Sequence, residues 1–383
     1  MFFEITKHTN NWFTKSIKLS NGLTFNGDLG WQQYNVGEYQ VVYKGYHLET
    51  FSDQQLFESM IQDATPRYRG NFCLIIADKN DCVITHNIDR GFPLWACENC
   101  VTNLNKCGES VWADCYLKID KQFAIDHNRY TAFDKNYKAY SFEDAVNKVH
   151  NILLRSYESF LRKNKKPLKI FLSGGMDTLT AYSYLDYFTK NYELVDYEYH
   201  KFTHFYRHNW QERISKFWGY KQCHTWGEQP AVLVTGGCGD EYFMRGPHTV
   251  NIMLMHHGVD IIDLFEQNKD CYHYKYFMNY KNIFNNQTQD KNIQSIVKEQ
   301  QMVKDHILNI HVNDHQHWHL DETLFFTPFK NIDIAKIMLG LPKQNFVNQT
   351  LHAEFNKALI TKINPDNLKF LSKQKNYQHL AFG

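Results

Sequence analysis

Hydrophobic and polar positions change their period along the chain. Up to about Leu117, short runs of β-branched and aromatic residues are bounded by Gly, Asn and Asp, as in Tyr39 to Tyr43, Phe72 to Ala77 and Cys82 to His86. Such runs are typical of strands. One helix is predicted among them, over Asp53 to Asp63. The first part of the chain is therefore predicted to be rich in β structure.

Behind Ser141 the period becomes helical. A serine followed by Glu143 and Asp144 suits a helix start, and apolar residues keep helical spacing as far as Phe160. The basic turn Lys163 to Pro167 ends this helix, and its lysines are expected to be solvated. Beyond it, apolar strands alternate with helical patterns. This alternation predicts a parallel sheet whose ligand crevice lies at the carboxyl ends of the strands.

The first strand of that sheet ends in a glycine turn. The apolar run Ile170 to Leu172 stops at Ser173-Gly174-Gly175-Met176-Asp177-Thr178, and a helical pattern follows from Leu179 to Phe188. Glycine lets a backbone approach an anion closely, and the first N–H groups of a helix have no partner within the helix. A pyrophosphate fits such a site. No Gly-Lys-Ser/Thr follows, so the turn is not a Walker loop.

A second strand repeats this design. The apolar run Ala231 to Thr235 delivers Gly236-Gly237-Cys238-Gly239-Asp240-Glu241, and in a parallel sheet both turns open at the same edge. Mg²⁺ takes hard oxygen ligands, usually one or two carboxylates together with substrate phosphates. Asp177 and Asp240 are therefore the predicted magnesium ligands. The alternative for each is an ordinary turn or cap aspartate.

The two turns together carry a family resemblance. The first resembles the Ser-Gly-Gly-x-Asp-Ser/Thr signature of the ATP pyrophosphatases, which cleave ATP between its α and β phosphates. The second resembles the L-S-G-x-G-x-D-E motif that accompanies it in asparagine synthetase-like enzymes. The resemblance implies MgATP as the bound nucleotide. The residues it places at the nucleotide are Ser173, Gly174, Gly175, Asp177, Thr178, Gly236 and Gly237.

The first part of the chain carries a second resemblance. Arg69 to Asp78, followed by Asn87 to Trp95, looks like the "G-x-F-a-x-x-x-x-D … r-D-x-x-G-x-x-P-L-y" passage of class II glutamine amidotransferase domains. In the asparagine synthetase family such a domain precedes the pyrophosphatase loop. The implied architecture is α/β. It has a β-rich αββα (Ntn-type) amidotransferase-like domain over residues 1–136. A parallel-sheet pyrophosphatase domain with a helical C-terminal part follows over residues 137–383.

One departure from the family concerns the source of nitrogen. Its glutaminase domains use an N-terminal cysteine whose thiol attacks the glutamine amide. Position 2 here is Phe2, no cysteine precedes Cys73, and Cys73 lies inside a predicted strand. We therefore expect a domain that keeps its scaffold and lacks glutaminase activity. Nitrogen would come from free ammonia, a separate donor or an amine on the substrate.

Other departures concern the acceptor and the catalytic lysine. Gly237 stands where asparagine synthetase has a glutamate, and Cys238 replaces the next glycine, which argues against aspartate as the acceptor. The family's R-x-K segment is matched by Leu371-Ser372-Lys373. The resemblance makes Lys373 and Asp240 the catalytic residues, with Lys373 stabilising charge that develops on the adenylate. Lys375 is the second candidate for this role. The non-catalytic alternative is a lysine on a solvated tail.

Charge and composition exclude several classes. Lys+Arg total 42 against 41 for Asp+Glu, so the net charge of +1 gives no general attraction to nucleic acid. No apolar run approaches the roughly 18–20 residues of a membrane helix, and a cytoplasmic location is expected. The nine cysteines are expected to be reduced. A zinc site stays an open alternative for four of them, Cys97, Cys100, Cys107 and Cys115.

The function predicted from these features is that of an ATP-dependent amide-forming ligase. A substrate carboxylate would attack the α phosphorus of MgATP, pyrophosphate would leave, and an amine or ammonia would displace AMP. Two alternatives stay open. One is a nucleoside- or RNA-modifying enzyme with the same loop, against which the neutral charge argues. The other is a non-catalytic nucleotide-binding protein, which the altered second turn allows. The residues do not define the carboxylate, the nitrogen donor or the oligomeric state.

Overall fold

The computed structural model describes residues 3–11, 13–88, 94–103, 109–111, 115–130, 138–171, 175–195, 231–237, 239–243, 324–342, 345 and 351–370. At 109, 110, 171, 194, 195, 240, 241 and 370 only the backbone is described. Within these ranges the chain forms two antiparallel sheets in its first part and one parallel sheet in its second part.

The first antiparallel sheet has six strands in the order β10-β8-β9-β1-β3-β2. It pairs the start of the chain with strands from the region of residue 100, through the register Ile5 to Val101. Its strands are β1 (Phe3–Thr6), β2 (Lys15–Lys18), β3 (Thr24–Gly27), β8 (Trp95–Ala96), β9 (Cys100–Thr102) and β10 (Glu109–Ser110).

The second antiparallel sheet also has six strands, in the order β12-β11-β7-β6-β5-β4. Its centre is the long pair β5 and β6, in register from Gln40 opposite Ala77 to His47 opposite Gly70. Its strands are β4 (Gln32–Val36), β5 (Tyr39–His47), β6 (Gly70–Ala77), β7 (Asp81–His86), β11 (Cys115–Asp120) and β12 (Ile125–Arg129). The predicted β-rich first part is confirmed.

The two antiparallel sheets pack face to face around an apolar core, because alternate residues of a strand point to opposite faces. The shared core includes Phe3, Ile5, Ile17 and Phe25 from the first sheet and Val42, Ile75, Ile84 and Leu117 from the second. The other face of the second sheet packs against Leu56, Phe57 and Met60 of helix α1. The predicted helix is confirmed as α1 (Asp53–Gln62), capped by Ser52, whose side chain accepts from Gln55 N.

The second part of the chain contains a four-stranded parallel sheet in the order β14-β13-β15-β16. Its strands are β13 (Leu168–Phe171), β14 (Glu193–Val195), β15 (Val232–Val234) and β16 (Leu324–Phe326). The predicted parallel sheet is confirmed. The chain leaves β13 toward β14 and then returns to the other side of β13 to form β15. The direction of winding therefore reverses between β13 and β15, where ligands bind in open sheets of this kind.

Helices cover this parallel sheet. They are α2 (Phe142–Lys163), α3 (Met176–Phe188), α4 (Gly239–Tyr242), α5 (Ile332–Leu339) and α6 (Leu351–Ile363), followed by a 3₁₀ helix, Pro365–Phe370. The predicted start of α2 is confirmed, because Ser141 caps it by accepting from Asp144 N at 3.1 Å. Among the described residues, no helix is both long and apolar enough to cross a bilayer.

Close contacts join the two parts of the chain. The ring of Phe160 stacks on Phe326 with centroids 4.1 Å apart, and Tyr46 meets Phe160 edge-on at 4.9 Å. The Tyr46 hydroxyl donates to Phe325 O at 3.2 Å. The predicted boundary at 136/137 touches residues 131–137, which lie outside the described residues, so it stays a prediction. Between residues 3 and 130 the described chain has one helix. The described residues of this part therefore show one of the two helical layers in the αββα arrangement that the resemblance implies.

Candidate functional site

The first glycine turn lies between β13 and α3, at the carboxyl edge of the parallel sheet. Gly175 caps α3 with φ −71° and ψ 148°, and it offers no side-chain hydrogen bond to the helix. The predicted helix from Leu179 to Phe188 is confirmed as α3, which begins three residues earlier, at Met176, so that Asp177 lies in its first turn. Ser173 and Gly174, predicted to hold pyrophosphate, lie outside the described residues.

The second glycine turn follows β15 and packs directly on the first. A Cβ atom added at Gly236 would lie 2.4 Å from Thr178 N and 2.6 Å from the carbonyl carbon of Asp177. No side chain fits at such a distance. Gly237 N donates to Thr235 Oγ1 at 2.9 Å, which holds the turn as it leaves the strand. The structure thus brings the two predicted turns together at the edge where the winding of the sheet reverses.

The second turn also contacts the side chain of Asp177. A Cβ atom added at Gly239 would lie 2.4 Å from Asp177 Cγ and 2.4 Å from Asp177 Oδ1. The Asp177 side chain is 13% exposed. Asp240 follows Gly239 in α4, but its side chain lies outside what is described. That Asp177 and Asp240 share one ion therefore stays a prediction.

Two residues from α6 also contact Asp177. Asp177 Oδ1 accepts from His352 Nε2 at 2.7 Å and from Asn356 Nδ2 at 3.0 Å. A carboxylate only accepts hydrogen bonds, so the proton of this contact lies on His352 Nε2. The side chain of His352 is 7% exposed, and Asn356 is fully buried. The carboxylate is thus held from one side by α6 and covered from the other by the second glycine turn.

Neither His352 nor Asn356 was predicted from the sequence as a site residue. Both lie on a helix whose buried face is otherwise apolar, with Leu351, Phe355 and Leu359. Two polar residues four positions apart lie on one face of a helix, one turn from each other. A polar pair at that spacing within an apolar stripe is the sequence pattern that could have indicated these two residues.

The residues around Asp177 fit a magnesium ion that is also held by phosphates. A carboxylate oxygen is the ligand type that Mg²⁺ prefers, and this ion usually takes only one or two from the protein. In the described part of the chain, no group of three or more His, Cys, Asp or Glu side chains could hold a metal by itself. Asp177 could therefore supply one carboxylate ligand to such an ion.

Other predicted residues lie away from this crevice or outside the description. Lys373 and Lys375 lie beyond residue 370 and are not described. Cys97 and Cys100 flank a hairpin in which Cys97 N donates to Cys100 O at 2.8 Å, and Cys115 begins β11. Cys107 is not described, so the zinc alternative stays untested.

A cavity of about 650 Å³ lies at the opposite end of the parallel sheet. It is lined by Pro167 and Leu168, where β13 begins, and by Glu193, where β14 begins. Ligands in parallel sheets bind at the carboxyl ends of the strands, whereas this cavity opens at the amino ends. It is therefore separate from the glycine turns.

A charged cluster lies where the two parts of the chain meet, beside a cavity of about 260 Å³. Lys163 Nζ lies 3.0 Å from both ring nitrogens of His47 and donates to Phe51 O at 3.0 Å. His47 Nε2 lies 3.0 Å from Asp53 Oδ1. This hydrogen bond lowers the pKa of Asp53, whereas burial lowers the pKa of Lys163. The expectation of solvated lysines is thus wrong for Lys163, because its ammonium group contacts His47 and donates to Phe51 O in the first part of the chain.

The sequence matches no family model and no curated protein. Among solved structures, it is similar to the glutamine phosphoribosylpyrophosphate amidotransferase from B. subtilis, complexed with ADP and GMP. The similarity covers 58% of this chain at 8% sequence identity, with a TM-score of 0.22. It spans 63% of that chain, less than two thirds of its length. A likeness at this TM-score does not establish a shared fold, so the architecture rests on the strand order and packing described above.

Proposed function

We propose that the protein is an ATP-dependent amide-forming ligase that adenylates a substrate carboxylate and has no glutaminase activity of its own. One observation carries the proposal. Two glycine turns from neighbouring parallel strands meet at Asp177, with Gly236 against its backbone and Gly239 against its carboxylate, at the edge of the sheet where the winding reverses. Such an edge, with a helix N-terminus opening onto it, is suited to a pyrophosphate group.

The roles of the residues follow from their positions. Ser173, Gly174, Gly175 and Thr178 would surround the pyrophosphate at the start of α3, where the first N–H groups have no partner within the helix. Gly236 and Gly237 would let the second turn approach the nucleotide. Asp177 and Asp240 would hold Mg²⁺, which offsets the charge of the phosphates when it is bound.

The proposed reaction has two steps. A carboxylate oxygen of the substrate attacks the α phosphorus of ATP, the bond between the α phosphorus and the bridging oxygen breaks, and pyrophosphate leaves. An amine or ammonia then attacks the acyl carbon, AMP leaves with the carboxylate oxygen, and the nitrogen loses a proton. We assign Lys373 to stabilise the charge that develops on the adenylate.

The connectivity permits this role for Lys373. Asn367 Nδ2 donates to Ser183 Oγ at 2.9 Å, which fixes the 3₁₀ helix against α3. Ser183 lies six residues after Asp177 in α3, a distance of about 9 Å along the helix axis. The six residues from Asn367 to Lys373 can span at most about 20 Å. The chain is therefore long enough to bring Lys373 to Asp177.

In this proposal, the first part of the chain does not hydrolyse glutamine to supply nitrogen. Cys73 lies in β6, fully buried in the core between the two antiparallel sheets. A thiol in that place does not reach a glutamine from solvent. The amide nitrogen would come from ammonia, from a separate donor, or from an amine on the substrate itself.

The proposal is tested by measuring AMP and pyrophosphate formed from MgATP with a panel of carboxylates and amines. We expect both products only when a carboxylate is present, an amide when an amine is added, and no turnover in Asp177→Ala. Turnover that requires a nucleoside or RNA would favour the modifying enzyme. A wild-type protein that shows no magnesium-dependent binding of ATP would overturn the ligase proposal.

A further inference from the structure

We propose that His352 and Asn356 are positioning residues that fix the carboxylate of Asp177 for magnesium binding. This inference rests on the proposed function, because it concerns the same MgATP site. It assigns a role to α6, which lies 175 residues beyond Asp177 in the chain. Neither residue belongs to the glycine turns.

The two side chains act on the same oxygen atom. His352 Nε2 and Asn356 Nδ2 both approach Asp177 Oδ1, at 2.7 Å and 3.0 Å. The 3.2 Å between these two nitrogens is the spacing of neighbouring donors that share one acceptor, since both carry hydrogen. Two donors from different directions fix the rotation of the carboxylate group better than one donor could.

The orientation of the Asn356 amide is fixed in turn. Its Nδ2 also donates to His352 O at 3.1 Å, so both of its protons are used. Its Oδ1 lies 2.6 Å from Thr180 Oγ1, which donates to it. The reversed amide would place Oδ1 against the Asp177 carboxylate and bring two acceptors together. With the amide in this orientation, the hydrogen bonds lead from Thr180 through Asn356 to Asp177.

A merely structural contact between α3 and α6 would not need these groups. Thr180 and Asn356 are fully buried, where apolar side chains of similar shape could join two helices without desolvating polar atoms. A neighbouring contact of α3, with the 3₁₀ helix, supplies a comparison. Asn367 Nδ2 donates to Ser183 Oγ at 2.9 Å, also in a buried position, but this pair does not touch Asp177. The contribution of the Asp177 network to metal binding can thus be separated from its contribution to helix packing.

The experiment measures metal binding rather than turnover. Mn²⁺ is titrated into full-length protein with a non-hydrolysable ATP analogue and followed by electron paramagnetic resonance, and thermal unfolding is recorded for each variant. The variants are His352→Leu, Asn356→Leu and Asp177→Asn, with His352→Gln as the conservative change, because glutamine retains an N–H donor. Ser183→Ala is the matched control, because it removes a buried polar contact of α3 with the neighbouring 3₁₀ helix.

We expect His352→Leu and Asn356→Leu to weaken Mn²⁺ binding by about 10- to 100-fold, as removal of a group that orients a metal ligand does. His352→Gln should recover most of the affinity. Ser183→Ala should lower the unfolding temperature and leave the affinity unchanged. If either leucine variant does not fold, the Gln variant and the other leucine variant still decide the question.

Two results would overturn the inference while leaving the proposed function in place. One is wild-type affinity in both leucine variants. The other is a loss of affinity in Ser183→Ala as large as theirs, which would show a general effect of helix packing. Absence of nucleotide-dependent Mn²⁺ binding in the wild-type protein would instead overturn the proposed function and this inference together.

Discussion

Gly239 lies so close to Asp177 that a Cβ atom on Gly239 would stand 2.4 Å from both Cγ and Oδ1 of the Asp177 side chain. Atoms at that distance overlap, so the glycine is required by contact with a specific side chain rather than by its own backbone angles. The second turn is thus fitted to the side chain that the first turn presents. The two turns depend on one another, and a change in either should disturb both.

Gly239→Ala should therefore weaken ATP binding strongly. The added methyl group must displace Asp177 or α4, and overpacking of this kind costs about 1–3 kcal/mol of stability. Isothermal titration calorimetry with MgATP and urea unfolding measure the two effects. Gly22→Ala is the control, because Gly22 lies in the N-terminal part with no atom within 4 Å of an added Cβ and has a φ of +90°. It should lose stability through backbone strain and bind MgATP normally. Equal binding by Gly239→Ala and the wild type would contradict the fitted-turn description.

Ammonium, and not glutamine, should support amide formation. Cys73 is fully buried between the sheets, and burial, followed by the charge of Asp81, raises the pKa of the Cys82 thiol. The Cys82 thiol is therefore not available as a thiolate at neutral pH, and the Cys73 thiol is closed off from solvent. The measurement is product formation with ammonium or glutamine, together with ammonia released from glutamine alone. If glutamine supported the reaction and Cys73→Ser abolished that support, the assignment of a scaffold without glutaminase would be wrong.

Lys163→Met should destabilise the contact between the two parts of the chain. It removes the donor to Phe51 O and the contact with the His47 ring, and leaving buried acceptors without a donor costs about 1–3 kcal/mol. Lys165→Met, two residues away at an exposed position, is the matched control and should keep wild-type stability. Urea unfolding measures both. Equal stabilities of the two variants would show that the Lys163 cluster does not hold the parts together.

Acidification should destabilise the protein partly through His150. Burial, and next the charge of Lys362, lower the pKa of His150 below its ordinary 6.5, and the ring contacts the Tyr184 hydroxyl at 2.7 Å. Below pH 6.5 the unfolded chain takes up a proton that the folded protein resists, so stability falls as pH falls through the interval between the two pKa values. Above that interval His150 is neutral in both states and this loss is absent.

Unfolding free energies of His150→Gln, measured from about pH 7.5 to about pH 5, should therefore fall less steeply than those of the wild type. His127→Gln, at an exposed position, should keep the wild-type slope. A wild-type slope in His150→Gln would show that another group controls the acid sensitivity.

Local signals in the sequence predicted much of the fold. Ser141 was predicted to precede α2, and it caps this helix because a serine side chain accepts from backbone N–H groups that the helix leaves without a partner. The glycine turns at Gly175 and Gly236 follow apolar strands, which is a pattern of adjacent residues. Their meeting followed from one rule, that parallel strands end at the same edge of a sheet.

Contacts between distant residues were not predictable in the same way. His352 and Asp177 lie 175 residues apart, and no local pattern states which face of α3 will meet α6. Lys163 illustrates the same difficulty. Its neighbours in sequence are polar and suggest a solvated turn, whereas its partners His47 and Phe51 come from the other part of the chain. Long-range packing decides both cases.

Exchange between ATP and labelled pyrophosphate tests the central claim most directly. Label enters ATP only when pyrophosphate attacks an acyl adenylate, and this adenylate forms only after a carboxylate has displaced pyrophosphate from ATP. We predict exchange that depends on Mg²⁺ and on an added carboxylate, and its loss in Asp177→Asn, which keeps the shape of the side chain but not its charge. Exchange that needs no carboxylate, or full exchange in Asp177→Asn, would contradict the assignment of this crevice as the site of carboxylate adenylation.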